Sequence, residues 1–166
     1  MHEKSIALLN EALAEELAAI NQYMYFHFHC DDQGYDPLAA LFKQTAMQEM
    51  IHAEQIAERT LFIKGEVEMR PSQDVVKEHD VAKMLVMSKK LEEDAVKLYN
   101  RFAHQCGEHG DSASKKLFED LVAQEELHFD HFETQEEHLE KFGEQFLALQ
   151  SIERSKQISG GGGAAQ

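Results

Sequence analysis

Two short words in the chain, Glu49-Met50-Ile51-His52 and Glu125-Glu126-Leu127-His128, each set a carboxylate and an imidazole three residues apart, which puts both on one face of a helix. Oxygen and nitrogen donors offered together suit iron or manganese better than a thiolate-loving metal. One such word means little in a chain with 10 histidines and 31 acids. An internal repeat gives the pair its weight. Displacing the chain by 76 residues sets Glu16 on Glu92, Tyr23 on Tyr99, Phe26 on Phe102, Cys30 on Cys106, Gly34 on Gly110, Leu41-Phe42 on Leu117-Phe118, Glu49 on Glu125 and His52 on His128, without a gap. In both halves a glutamate, Glu16 or Glu92, precedes the Glu-x-x-His word by 33 residues.

The elements that must position these donors are helices. The stretches between the 2 prolines and the sparse glycines are rich in Ala, Leu, Glu, Lys, Gln and Met, all good helix formers. They predict helices over Lys4 to Asp31, Pro37 to Lys64, Val81 to Cys106 and Asp111 to Phe142, with a short fifth over Glu144 to Ser155. Asp31-Asp32-Gln33-Gly34 and Gly107 to Asp111 make short breaks, Asp36-Pro37 reads as a capping acid and a first-turn proline, and Gly65 is expected to end the second helix. Short breaks make antiparallel hairpins. The stretch from Glu66 to Asp80, with Pro71, is long enough to cross the bundle from end to end. Two hairpins of one pattern would then pack about a pseudo-two-fold axis. Four buried carboxylates repel one another and are costly without partners. Two divalent cations make the set neutral. One Glu from each of two helices, with Glu-x-x-His from the other two, is the known donor pattern of di-iron carboxylate bundles.

Composition sets the bounds. The 166 residues suit one domain, read as 1–158, followed by a flexible Gly-rich tail over 159–166. A net charge of −15 argues against a nucleic-acid partner and favours the approach of cations. No apolar run spans a bilayer and the N-terminus lacks a signal-like stretch, so a cytoplasmic protein with no membrane partner is expected. Cys30 and Cys106 form no CxxC word and are read as reduced thiols.

The segments Glu16 to Tyr23, Gln48 to Glu54 with Glu58-Arg59, Leu91 to Ala95 and Glu125 to His128 resemble those of the bacterioferritins, and the resemblance runs from Ser5 to Arg154. It implies an all-α, ferritin-like four-helix bundle with a long crossover and a short C-terminal helix. It further implies an iron-storage ferroxidase that oxidises iron(II) to iron(III) with dioxygen or hydrogen peroxide at an intrasubunit di-iron centre. Two iron ions per subunit would be held by Glu16 and Glu92 as terminal ligands, Glu49 and Glu125 as bridges, and His52 and His128. Tyr23 would stand beside the centre as an electron or hydrogen-bond donor. Met50 points about 100° away from Glu49 around the helix. The resemblance makes it the axial ligand of a b-type haem at a two-fold subunit interface, with Leu17, Ile20, Asn21 and Met24 lining the pocket. A homo-oligomeric cage of 24 subunits and a ferredoxin-type reductant follow from the same likeness. An inner-surface iron site is in doubt, because Gln44 and Gln48 stand where stronger ligands would be expected. Two other readings compete. A rubrerythrin-like peroxide reductase shares the motif but usually carries an added domain with CxxC pairs, and a metal-free helical scaffold would leave the carboxylates unexplained.

Overall fold

The computed structural model describes residues 2–160, and among them all regular structure is helical. α1 spans Glu3–Asp32, α2 Asp36–Phe62, α3 Val81–Glu108, α4 Ser112–Phe142 and α5 Glu144–Gly160. α1 packs on α2 and α3 packs on α4, and the two hairpins meet through α1 with α3 and α2 with α4. The buried side of α1 reads Ser5, Leu9, Ala12, Glu16, Tyr23, Phe26 and Cys30, a stripe at steps of three, four and seven that the helical period aligns. Glu16 occupies a core position of that stripe. The same is true of Glu49 and His52 in α2, Glu92 in α3, and Glu125 and His128 in α4.

Apolar residues close over these polar positions from both sides. One cluster holds Leu9, Leu13, Ile56, Tyr99, Phe102, Phe118 and Leu121. The other holds Tyr23, Phe26, Leu38, Phe42, Leu85, Phe132 and Phe146. Tyr23, Phe26 and Phe42 correspond through the repeat to Tyr99, Phe102 and Phe118, so the two clusters are copies related by the pseudo-two-fold axis. Burying each large apolar side chain contributes on the order of 1.5–3 kcal/mol, which offsets the cost of the carboxylates between them. Cys30 and Cys106 are buried in opposite clusters as free thiols.

Both short breaks end their helices in the same way. Gly34 (φ 84°) and Gly110 (φ 80°) take the left-handed conformation. The next residue donates back to a helical carbonyl, Tyr35 N to Cys30 O at 2.9 Å and Asp111 N to Cys106 O at 2.8 Å. α2 ends just before Gly65, and the left-handed residue of this turn is Lys64 (φ 66°). Gly65 serves instead through its missing side chain: a Cβ there would lie 2.8 Å from Ile6 and 2.9 Å from Thr60. The start of α2 differs from expectation, since Asp36 makes no cap. Gln150 of α5 accepts from Leu38 N at 3.1 Å, while Asp36 pairs with Arg154 at 2.7 Å. α5 thus seals the first turn of α2, and it runs past Ser155 to Gly160, taking in the first two residues of the expected tail; residues 161–166 lie outside the described residues. At the start of α4, Asp111 is the cap and not the first helical residue, accepting from Ser114 N at 3.1 Å and from Arg59 of α2 at 2.7 Å.

The crossover from residue 63 to 80 has no regular structure but lies along α1. Asn10 clasps it by donating to Glu66 O (2.8 Å) and accepting from Glu68 N (3.0 Å). Gln22 clasps Val76 in the same two-way manner at 3.0 and 2.8 Å. Ser72 N adds a bond to Ala14 O at 2.9 Å. No described helix is long and apolar enough to cross a membrane.

Candidate metal centre

The six donors from four helices converge midway between the apolar clusters, and each is at most 4% exposed. Glu16, Glu49, His52 and Glu125 form one set, and Glu49, Glu92, Glu125 and His128 a second; within each set the donor atoms lie within 4.8 Å of one another. Glu49 and Glu125 belong to both sets, each giving one oxygen to either side. His52 Nδ1 lies 2.8 Å from Glu49 Oε2, 3.1 Å from Glu125 Oε1 and 3.8 Å from Glu16 Oε2. His128 Nδ1 lies 3.0 Å from Glu49 Oε1, 3.0 Å from Glu125 Oε2 and 3.7 Å from Glu92 Oε2. The rings stand 5.7 Å apart and nearly parallel. This is a two-fold arrangement with one imidazole, one terminal carboxylate and two shared carboxylates on each side.

A cation fits this donor set better than hydrogen bonding does. Glu49 Oε2 and His52 Nδ1 are buried with no hydrogen-bond partner, despite their proximity. A buried orphan acceptor and a buried orphan ring nitrogen facing one point are what a metal ion between them would satisfy. Protons otherwise balance the charge. Burial, reinforced by the charge of Glu49, pushes the carboxyls of Glu16 and Glu92 well above the usual range. Burial works against charge on His52 and His128, but the carboxylates facing each ring prevail and lift both to about 12. Burial would likewise raise Glu125, yet the two imidazoles hold it down at about 2.

Two tyrosines complete the centre. Tyr23 donates to Glu92, and Tyr99 donates to Glu16 Oε1 at 2.5 Å. Both hydroxyls are held protonated by burial and by the neighbouring carboxylates. The family resemblance points to Tyr23 alone, and the repeat, which sets Tyr23 on Tyr99, is the signal in the sequence for the second. Gln48, a poor metal ligand by type, accepts from His128 Nε2 at 2.8 Å, orienting that ring from behind. A cavity of about 320 Å³ between α1 and α3 reaches the carboxylates from outside, with Glu15, Gln73 and Asp94 among its lining. Met50 stands apart from all of this, 57% exposed on the outer side of α2 beside exposed Met47 and Ile51.

Fold and donor set together define a di-metal carboxylate helical bundle, and residues 6–142 match the family model described as the ferritin-like domain. Within that class the chain is 36% identical over 145 residues to the bacterioferritin of Desulfovibrio desulfuricans, covering 87% of this chain and 81% of that one. It is 36% identical over 147 residues to the bacterioferritin of Rhodobacter capsulatus, covering 88% and 91%. The crystal structure of the Desulfovibrio desulfuricans protein, solved with its di-iron site in different catalytic states, superposes with a TM-score of 0.88 at 35% identity over 89% of this chain and 86% of that one. The chain belongs to the bacterioferritin family.

Proposed function

We propose that the chain is an iron-storage ferroxidase that oxidises iron(II) to iron(III) with dioxygen or hydrogen peroxide and stores the product. The observation that carries this reading is the pair of four-donor sets sharing Glu49 and Glu125. Four carboxylates balance two divalent ions, so iron(II) enters without leaving net charge in the apolar interior. Glu15 and Asp94 line the cavity through which a cation would be drawn inward. Glu16 with His52 would hold one ion and Glu92 with His128 the other. The shared carboxylates would keep the two close, about 3.5–4 Å apart as is usual for two-metal sites, so that one oxidant can take electrons from both. The tyrosine hydroxyls fix which oxygen of Glu16 and of Glu92 faces its ion.

The assembly belongs to the same proposal. Met47, Met50 and Ile51 on α2 and Phe28 on α1 are all more than half exposed, which supports contact with further copies. Met50 has a free thioether on that surface and fits a haem iron; bound there between two subunits, a b-type haem would supply an electron carrier. The full reading is a 24-subunit cytoplasmic cage whose stored iron is released by electrons from a ferredoxin-type partner. Addition of iron(II) under air should develop ferric absorbance, and retention of far more than two irons per chain separates storage from peroxide reduction alone. Glu49→Ala and His128→Ala should both slow the initial rate at least tenfold; wild-type rates in both variants defeat the assignment.

A further inference from the structure

We infer that Tyr99 is a second electron and proton donor of the centre, equivalent to Tyr23, and that the two together let a single charge of iron(II) reduce dioxygen fully to water. The inference rests on the ferroxidase reading. Its ground is the symmetry of the hydrogen bonds: Tyr23 to Glu92 and Tyr99 to Glu16. Each tyrosine comes from one hairpin and grips the terminal carboxylate of the other. Both are at most 1% exposed and sit in separate clusters, Tyr23 against Phe42 and Phe132, Tyr99 against Phe102 and Phe118. A radical formed on either ring is shielded from solvent, and a proton acceptor already touches each hydroxyl.

Electron count makes the pairing meaningful. Reduction of one dioxygen to two waters takes four electrons and four protons. Two iron(II) ions give two electrons. The other two come from the tyrosines, each phenolic O–H bond breaking as its electron passes to the oxidant and its proton follows to the oxygen by way of Glu92 or Glu16. Two protons from solvent complete the waters, leaving two iron(III) ions and two tyrosyl radicals. With a single tyrosine the count stops at three, one short of two waters: most turnovers then oxidise the one ring and leave an oxidising equivalent unfilled, and the rest halt at two electrons, oxidise no ring and release peroxide. Hydrogen peroxide as oxidant needs only two electrons and so draws on neither ring.

The test loads anaerobic protein with two iron(II) per chain, mixes it with dioxygen, and reads organic radical by electron paramagnetic resonance after freeze-quenching, with released peroxide assayed in parallel. Wild type should show radical from both rings and little peroxide. Tyr99→Phe should lose about half the radical and release peroxide. Tyr23→Phe should keep about half, with the residual signal narrowed when ring-deuterated tyrosine is incorporated, and the double variant should show none. Full radical yield without added peroxide in Tyr99→Phe overturns the inference, as does complete loss of radical in Tyr23→Phe. The Tyr23→Phe arm leaves Tyr99 in place, so it decides the matter even if Tyr99→Phe fails to fold. Absence of ferric absorbance in wild type with either dioxygen or hydrogen peroxide would instead sink the ferroxidase reading itself.

Discussion

Metal uptake by this centre must be an exchange of cations for protons. Without metal, His52 and His128 carry a proton each with pKa values of about 12, and the carboxyls of Glu16 and Glu92 are pushed well above the usual range. Two divalent ions need all four carboxylates ionised and both imidazoles neutral. Filling the centre therefore expels two protons from the rings and draws further protons from the raised terminal carboxyls, about one to two per ion. At one to two protons per ion, apparent affinity rises about 10- to 100-fold for each unit of pH, or ~1.4–2.7 kcal/mol per ion. Cobalt(II), which binds such donors without being oxidised by air under mild conditions, is a suitable probe. Isothermal titration between pH 6 and 7.5, in buffers of different ionisation heat, reads the protons directly. Glu16→Gln should lower the count by about one. Release of less than one proton per ion in wild type, or affinity independent of pH, would refute the charge balance described for the centre.

Stability should follow the same linkage. The pKa values of His52 and His128 are raised in the fold, so their contribution is complete below the unfolded value of about 6.5 and is lost as pH rises toward about 12. The raised carboxyls of Glu16 and Glu92 act in the same sense above about pH 4.5, since the native state again holds the extra protons. Metal-free protein should therefore melt lower at pH 8.5 than at 6.5, and cobalt-loaded protein the reverse. Lys64→Gly should raise stability by about 0.5–1 kcal/mol, roughly 1–4 °C in melting temperature, by relieving the left-handed lysine. Gly65→Ala should cost about 1–3 kcal/mol through its contact with Ile6, both read by thermal unfolding. Asp111→Asn should cost about 1.5–3 kcal/mol in chemical denaturation, because Arg59 loses its charged partner.

The repeat made much of this centre readable before any coordinates. Periodicity placed four helices and put Glu16, Glu49, His52, Glu92, Glu125 and His128 at equivalent heights, because a buried stripe on a helix has one register. What stayed hidden depends on contacts between distant segments. Local preference points to Gly65 as the end of the second helix, but the left-handed residue is Lys64, and the room Gly65 leaves is taken by Ile6 of α1. Asp36-Pro37 reads as a self-contained helix start, yet the orphan N–H of Leu38 is satisfied by Gln150, more than a hundred positions along the chain. Asn10 and Gln22 look like ordinary surface amides until the crossover lies against them. Tyr99 was visible in the repeat, but only the geometry shows its hydroxyl on Glu16.

Each donor set draws on both hairpins: Glu16, Glu49 and His52 need Glu125, and Glu92, Glu125 and His128 need Glu49. A chain emerging from the ribosome with only its first hairpin made holds three of the six donors and neither complete set. Redox chemistry therefore begins only when synthesis has passed α4 and the halves have docked, so an unfinished copy is inert toward iron and oxygen. The same division makes the bound ions a rivet between the halves, and a damaged molecule whose hairpins part gives up its reactivity together with its metal.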